Sequence, residues 1–327
     1  MERRLLYLSR DDVAELDLPI ATIIDAVEDA FRQRGAGDVE MPPKVAVHPG
    51  PPAADNFIHA MPAYIRSSGA VGVKWVSGYP GNAREGLPYI SGLLILNDAR
   101  TGVPCSVMDC TWITARRTAA ASAVSARYLA REGSEVLGIL GCGVQGRSHV
   151  EAIRAVLPGI RRVLAYDIDA ARAEAFASDL AQGGELSVRI QDDPRDVVVA
   201  SDVLVTAGPI LRRPHATIQP GWLRPGAFAS AVDFDSYFAP AAIRECDKVT
   251  TDDKAQFAHF HDMGYFQDMP PLHAELSDLV TGRLRGRESD RERTMAVNLG
   301  LALEDVAVAP LVYRRALEAG RGTWLPL

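Results

Sequence analysis

The run that most constrains this chain is VLGILGCGVQGRSHV, residues 136–150. Val136 to Leu140 are apolar and read as a buried strand. Gly141-Cys142-Gly143-Val144-Gln145-Gly146 follows, and an amphipathic segment from Ser148 onward reads as a helix. Strand, glycine turn and helix in this order make a cradle for a dinucleotide. Gly141 permits the tight turn, Gly143 lets the backbone approach a pyrophosphate, and Gly146 lets the helix pack on the strand. The first N–H groups of the helix, around Val144 and Gln145, lack intrahelical partners and suit phosphate oxygens.

A second element selects the dinucleotide. Arg162 to Asp167 reads as the next strand, ending in an acid 26 positions past Gly141. That is near the usual distance of about 20 for the residue that binds the adenine ribose. A carboxylate accepts hydrogen bonds from a ribose diol and repels a 2′-phosphate, so Asp167 predicts NAD(H) over NADP(H). The competing role for Asp167 is to cap the following helix.

Outward from this turn the chain has two textures. Residues 44 to 110 carry short β-type runs at Lys44–His48, Phe57–Ile65, Val71–Ser77, Leu93–Asn97 and Cys105–Asp109, parted by Pro, Gly and Asn. Asn97 to Gly102 reads as a hairpin turn. This region is expected to be antiparallel and β-rich, preceded by a strand at Leu5–Ser9 and a helix at Ala21–Arg34. Ile113–Arg131 is alanine-rich, without Gly or Pro, and predicts a helix. Past Asp167, a helix at Ala170–Ala181 and strands at Ser187–Gln191, Asp202–Ala207, Ala227–Val232 and Lys248–Thr251 imply a parallel sheet covered on both faces. Ala296–Leu317 reads as a final helix, and the charged stretch Gly282–Arg293 as a mobile, solvated loop. The expected fold is α/β: a Rossmann parallel-sheet domain, residues 119–295, inserted into a β-rich α+β domain of residues 1–118 plus 296–327.

Several function classes are disfavoured. The net charge is −7 with no long basic run, which argues against a nucleic-acid or anionic membrane surface. No apolar window reaches a membrane-spanning length, and the first residues lack the apolar core of a signal peptide. Cys105, Cys110, Cys142 and Cys246 form no CxxC pair or zinc-ligand spacing, so four reduced thiols, a cytoplasmic location and no metal are expected. His259 and His261, at i and i+2, do not share a helix face.

Together, Met61-Pro62-Ala63-Tyr64, Gly72-Val73-Lys74, Leu96-Asn97-Asp98 with Thr101-Gly102, Thr114-Ala115-Arg116-Arg117-Thr118-Ala119-Ala120, GCGVQG, Gly300-Leu301-Ala302 and Asp305-Val306-Ala307 resemble the ornithine cyclodeaminase/μ-crystallin family. The resemblance runs from about Met41 to the C-terminus. It implies a Rossmann domain inserted into a β-rich domain that forms the substrate site and a homodimer contact. The chemistry it implies is at a C–N bond beside a carboxylate, on a small amino or imino acid. Family members include amino-acid dehydrogenases and imine reductases, redox-neutral cyclodeaminases that release ammonia, and crystallins that bind the cofactor. The first of these is the expected activity, as an NAD-dependent oxidoreductase.

The resemblance also suggests site residues. Arg117 matches an arginine that holds the substrate carboxylate, a task suited to the guanidinium fork. Arg116 is read as a surface residue. Lys74 matches a lysine that contacts the carboxylate and assists proton transfer; the other possibility is that strand alternation turns it to solvent. Lys44 stands where cyclodeaminases carry an arginine, keeping the charge but not the fork. His59 and Met61, two apart on a strand, share a face and are expected to line the pocket; a hydrogen-bonded core histidine is the other reading of His59. Asp235 aligns with the catalytic aspartate, whereas Asp233 replaces a glycine, is read as a loop cap, and the usual Pro-Gly-Lys is missing. Thr118, Thr206, Ala207 and Gly208 are assigned to the cofactor, the last three at the strand end where the nicotinamide ribose passes.

Overall fold

The computed structural model describes residues 3–51, 54–181 and 186–327. The chain starts with β1 (Arg4–Leu8), α1 (Arg10–Ala14), α2 (Ile20–Gly35), β2 (Val39–Glu40) and β3 (Val45–Val47). Long strands follow: β4 (Phe57–Ile65), β5 (Ala70–Gly78), β6 (Ile90–Asp98) and β7 (Pro104–Asp109), then α3 (Thr111–Leu129). The middle of the chain alternates β8 (Val136–Leu140), α4 (Val144–Val156), β9 (Arg162–Tyr166), α5 (Ala170–Ala181), β10 (Ser187–Ile190), α6 (Pro194–Ala200) and β11 (Val203–Thr206). It continues through β12 (Phe228–Ala231), α7 (Pro240–Ile243), β13 (Lys248–Thr251), α8 (Lys254–Asp262), β14 (Ala274–Glu275), α9 (Leu276–Val280) and β15 (Thr294–Val297). The chain closes with α10 (Ala302–Ala319) and β16 (Thr323–Pro326). Two compact units result, one of residues up to Arg117 with Leu301–Leu327, the other Thr118–Gly300. No helix among the described residues is long and apolar enough to cross a membrane.

The first unit is a sheet in the order β16-β1-β7-β6-β5-β4-β2, with β3 also paired to β4. Its pairings are antiparallel except β1 on β7, which is parallel. The region of residues 44–110 is antiparallel throughout, as expected; the preceding strand β1, separated from it in sequence by α1 and α2, adds to it in parallel. Strand alternation buries one face, with Met61, Ala63 and Ile65 on β4, Lys74 and Val76 on β5, and Leu94 and Leu96 on β6. Helix α10 lies against α2, β4, β5 and β6. Helix α2 buries Ile23, Ile24, Val27 and Phe31 completely, each contributing about 1.5–3 kcal/mol. Helix α10 ends at Gly320, whose φ of +62° reverses the chain into β16.

The second unit is a parallel sheet in the order β10-β9-β8-β11-β12-β15-β13-β14. Strands β8, β11, β12, β13 and β15 are buried throughout, as expected of strands covered on both faces. The order reverses between β8 and β11, which places a switch point beside the glycine turn. One expectation is corrected here. Residues 294–297 are an internal strand between β12 and β13, and the helix begins only at Ala302; a short buried apolar run has no period that separates the two. The 282–293 stretch is an irregular, largely exposed segment, as expected of a solvated face, but it is tied to the unit at two points. Arg287 donates to the carbonyls of Leu129 (2.7 Å) and Glu292 (2.6 Å) and to Thr294 (3.0 Å). Lys248 Nζ donates to the Gly286 carbonyl and Glu288.

Candidate active site

The glycines of the second unit have three separate jobs. Gly141 has φ +103°, and a Cβ there would sit 2.6 Å from the Ala207 carbonyl oxygen. A Cβ on Gly146 would lie 2.4 Å from the Gly141 carbonyl oxygen, so α4 can approach β8 only with glycine. A Cβ on Gly143 would meet nothing within 4 Å. Gly143 is the N-cap of α4 and provides no side-chain cap. The first N–H groups of α4 are therefore left for a ligand, and the open space at Gly143 is where a pyrophosphate would need it. Val144 is 65% exposed beside this opening, and Gln145 Oε1 is buried without a hydrogen-bond partner among the described residues. A dinucleotide fits these residues.

Asp167 stands at the end of β9. Its Oδ2 accepts the Cys142 N–H at 2.8 Å and its Oδ1 accepts the Asp169 N–H at 3.0 Å. The cap of α5 is Asp169, which takes the N–H groups of Ala171 and Arg172. Asp167 is thus tied to the glycine turn itself, and the alternative of a helix cap is set aside. Burial is the main reason that the Cys142 thiol is pushed up to about 12. Thr118 lies buried on α3.

The end of β11 is fastened from β12. Thr206 Oγ1 donates to Asp233 Oδ1 (2.5 Å) and the Gly208 N–H donates to Asp233 Oδ2 (2.8 Å). Asp233 is the cap expected of it, with burial pushing its pKa up to about 7 against those two bonds. The Ala207 N–H is used by the Leu140 carbonyl (2.8 Å). Asp235 differs. It is 6% exposed, and its Oδ1 is buried with no hydrogen-bond partner among the described residues. Burial raises its pKa to about 6, its own backbone N–H opposes, and Asp268 adds to the rise. Asp235 is therefore poised between protonation states near neutral pH. Glu275 accepts the Lys254 N–H (2.7 Å) and serves as a cap.

In the first unit, Lys44 directly precedes β3, whose Val45 pairs with Ala60 on β4, and the next residue of β4, Met61, pairs in register with Lys74 on β5. Lys74 is 1% exposed, whereas its neighbour Trp75 is 51% exposed. The solvent-facing alternative for Lys74 is therefore excluded. Its Nζ lies 2.7 Å from Asp305 Oδ2 and 3.5 Å from Thr114 Oγ1. Burial lowers the Lys74 pKa, Arg117 lowers it further, and Asp305 opposes both. His59 stacks on Phe57 at 4.4 Å, and burial, with Lys44 and Lys74 nearby, holds its pKa down to about 3. A neutral imidazole there can donate or accept a hydrogen bond without adding charge.

Arg117, expected at the substrate carboxylate, is also paired within the protein. It is 5% exposed, with Nη1 2.6 Å from Glu304 Oε2 and Nε 3.1 Å from Asp305 Oδ1. Both acids lie in the first turn of α10, where helix N–H groups favour negative charge. Burial raises the Glu304 pKa, and Arg117 opposes it. The sequence by itself gives neither acid a role. Their pairing with β5 and α3 depends on where α10 packs. Arg116 lies over the Trp112 ring, 5.5 Å from its centroid, and is half-buried where Arg117 is buried. Lys74, Arg117, Glu304 and Asp305 form a buried, charge-balanced set, with Lys44 and His59 at its margin. No cluster of metal-ligating side chains occurs among the described residues.

Known proteins resemble this chain along nearly its whole length. Alanine dehydrogenase of Archaeoglobus fulgidus is 36% identical over 326 residues, covering 97% of each chain. The solved structure of Thermococcus litoralis Δ1-pyrroline-2-carboxylate reductase, in complex with NADH and L-proline, is 34% identical. It superposes with a TM-score of 0.87 over 98% of this chain and 99% of that one. An archaeal alanine dehydrogenase dimer with bound NAD, 33% identical, also gives 0.87 over 99% and 100%. The model of the ornithine cyclodeaminase/mu-crystallin family matches residues 5–320, and this chain belongs to that family.

Proposed function

We propose that this chain is an NAD(H)-dependent oxidoreductase that interconverts an α-amino or N-substituted amino acid with its imine. The observation that carries the reading is the buried cation pair Lys74–Arg117, held by Asp305 and Glu304, in a chain that also contains a complete dinucleotide turn. Relatives that reduce imines or oxidise amino acids, one solved with NADH and proline, support it.

Gly141, Gly143, Val144, Gln145 and Gly146 hold the pyrophosphate, and Asp167 accepts the adenine ribose hydroxyls and disfavours a 2′-phosphate. Thr118 and the Thr206–Gly208 backbone contact the rest of the dinucleotide. When bound, NAD(H) exchanges a hydride with the substrate Cα. Lys44, Lys74 and Arg117 bind the substrate carboxylate, and His59 and Met61 line its pocket. The ion pairs fix the Arg117 fork and the Lys74 ammonium before substrate arrives, so little ordering remains for the substrate to impose. Lys74 and Asp235 move the proton at the substrate nitrogen. In the oxidative direction Asp235 accepts it as carboxylate; in the reductive direction it donates it as the acid.

The chain is read as a cytoplasmic homodimer. Its four cysteines are unbridged. A second copy covers the outer face of the first unit's sheet, where Trp75 and Leu93 are paired in register and are 51% and 42% exposed. The alanine dehydrogenase dimer supports that occupant.

The test is incubation with NAD⁺ and a panel of amino acids, following absorbance at 340 nm and ammonia together. Stoichiometric NADH is the expected result. Ammonia without accumulating NADH identifies a redox-neutral cyclodeaminase, and tight cofactor binding with neither signal identifies a crystallin-type binder.

A further inference from the structure

Phe234 stands between the two acids Asp233 and Asp235, and its backbone is left-handed, with φ +64°. A side chain that large rarely adopts this conformation, and it persists only where the surroundings over-determine it. Here they do. Phe234 is 3% exposed, with its ring centroid 5.0 Å from those of Phe260 and Phe266 and 5.7 Å from that of Tyr265. Phe266 is itself left-handed, with φ +56°, and is stacked on Phe257 at 4.4 Å.

The rest of the loop is tied down by hydrogen bonds. The Asp233 carboxylate holds Thr206 and Gly208, and its carbonyl accepts Ser236 Oγ at 2.5 Å. Ser236 Oγ accepts the Leu211 N–H at 2.8 Å, and the Tyr237 carbonyl accepts the Ile218 N–H at 2.8 Å. In an extended strand, Asp233 and Asp235 would point to the same side. With a left-handed residue between them, Asp233 reaches the end of β11, while Asp235 lies against Phe266 and Asp268.

We propose that Phe234 is a positioning residue: its aromatic anchor holds a strained backbone that aims the Asp235 carboxylate, with Asp233 as the clamp that fixes the near end of the loop. The proposal rests on the reading of Asp235 as a proton-transfer group. The charged groups around Asp235 are Asp233 on its own loop and Asp268 on the segment after α8, with Arg212 lying over the Tyr265 ring at the edge of the aromatic box.

The test compares Phe234→Gly, Phe234→Leu and Asp235→Asn in the full chain. Glycine tolerates the positive φ but removes the anchor. Phe234→Gly is expected to lower kcat by about 100-fold, as for an angstrom-scale misplacement, with the Kd for NADH within about twofold. Its kcat limb near pH 6 should move toward the ordinary carboxylate range as water reaches Asp235. Phe234→Leu, which retains apolar bulk, should restore part of kcat. Wild-type kcat in Phe234→Gly, with Asp235→Asn inactive, overturns the positioning role. Wild-type kcat in Asp235→Asn instead overturns the reading of Asp235. If melting shows Phe234→Gly unfolded, Phe234→Leu decides alone: an unchanged pH limb and kcat overturn the proposal, and a displaced limb with lowered kcat supports it.

Discussion

The two units reach function by different physical means. In the Thr118–Gly300 unit, the features proposed to face a ligand are mainly backbone: a turn that only glycine can make, and helix N–H groups left uncapped. In the other unit they are side chains: a lysine and an arginine buried against two acids from a helix nearly two hundred positions away. Backbone devices tolerate change around them as long as the turn closes. A buried ion cluster does not, since removing one partner leaves an uncompensated charge in a low-dielectric site.

The sharpest way to break this comparison is Arg117→Ala. It should raise KM for the amino-acid substrate steeply and cost about 3–5 kcal/mol of stability, because Glu304 loses its partner. Steady-state kinetics and denaturant unfolding check both, and an unchanged KM would remove Arg117 from carboxylate binding. NADH affinity should stay near wild type.

Two glycine substitutions probe the other side. Gly141→Ala forces a Cβ against the Ala207 carbonyl at a positive φ, and should weaken NADH binding by about 100-fold or more, on the order of 3 kcal/mol. Gly143→Ala meets nothing within the protein. Its melting temperature should be unchanged, so any loss of NADH affinity by fluorescence titration reports contact with the ligand itself. Normal NADH binding in both variants would sink the cradle.

The pH dependence follows from Asp235, whose pKa is raised to about 6. Oxidation of the amino acid requires the carboxylate, so kcat in that direction should rise as pH climbs through about 6 and then level off. Imine reduction requires the acid, and its kcat should fall over the same range. Asp235→Asn should abolish both limbs. The smallest effect is expected at Asp167. Asp167→Ser should narrow the preference for NADH over NADPH by roughly tenfold, about 1.4 kcal/mol, by removing a charge that repels a 2′-phosphate. A wild-type ratio of the two Kd values would return Asp167 to a purely structural role at the Cys142 N–H.

Much of the parallel sheet was readable in advance. Strands at 136–140, 203–206 and 248–251 announce themselves as short apolar runs between turn residues. The strand at 294–297 did not, because it runs into a helix and a buried strand has no period of its own. Arg287 was read as part of a solvated charge run, yet its guanidinium ties together carbonyls of Leu129, Ala227 and Glu292. Charge counts in a sequence do not reveal which long side chain folds inward. Lys74 was legible as a residue type in an apolar strand; which face it occupied was not.

The amino-acid sequence alone determined what is local: the glycine turn, its strand and helix, the acid at the end of the next strand, and the alternation that builds a parallel sheet. Each follows from steric rules acting within some thirty residues. Only the tertiary structure decided that Lys74 faces inward and that Glu304 and Asp305 hold Arg117. The 188 positions between Arg117 and Asp305 carry no local signal. Their pairing exists because α10 packs back on β4, β5 and β6, and buried charges in that interface are tolerated only when they meet.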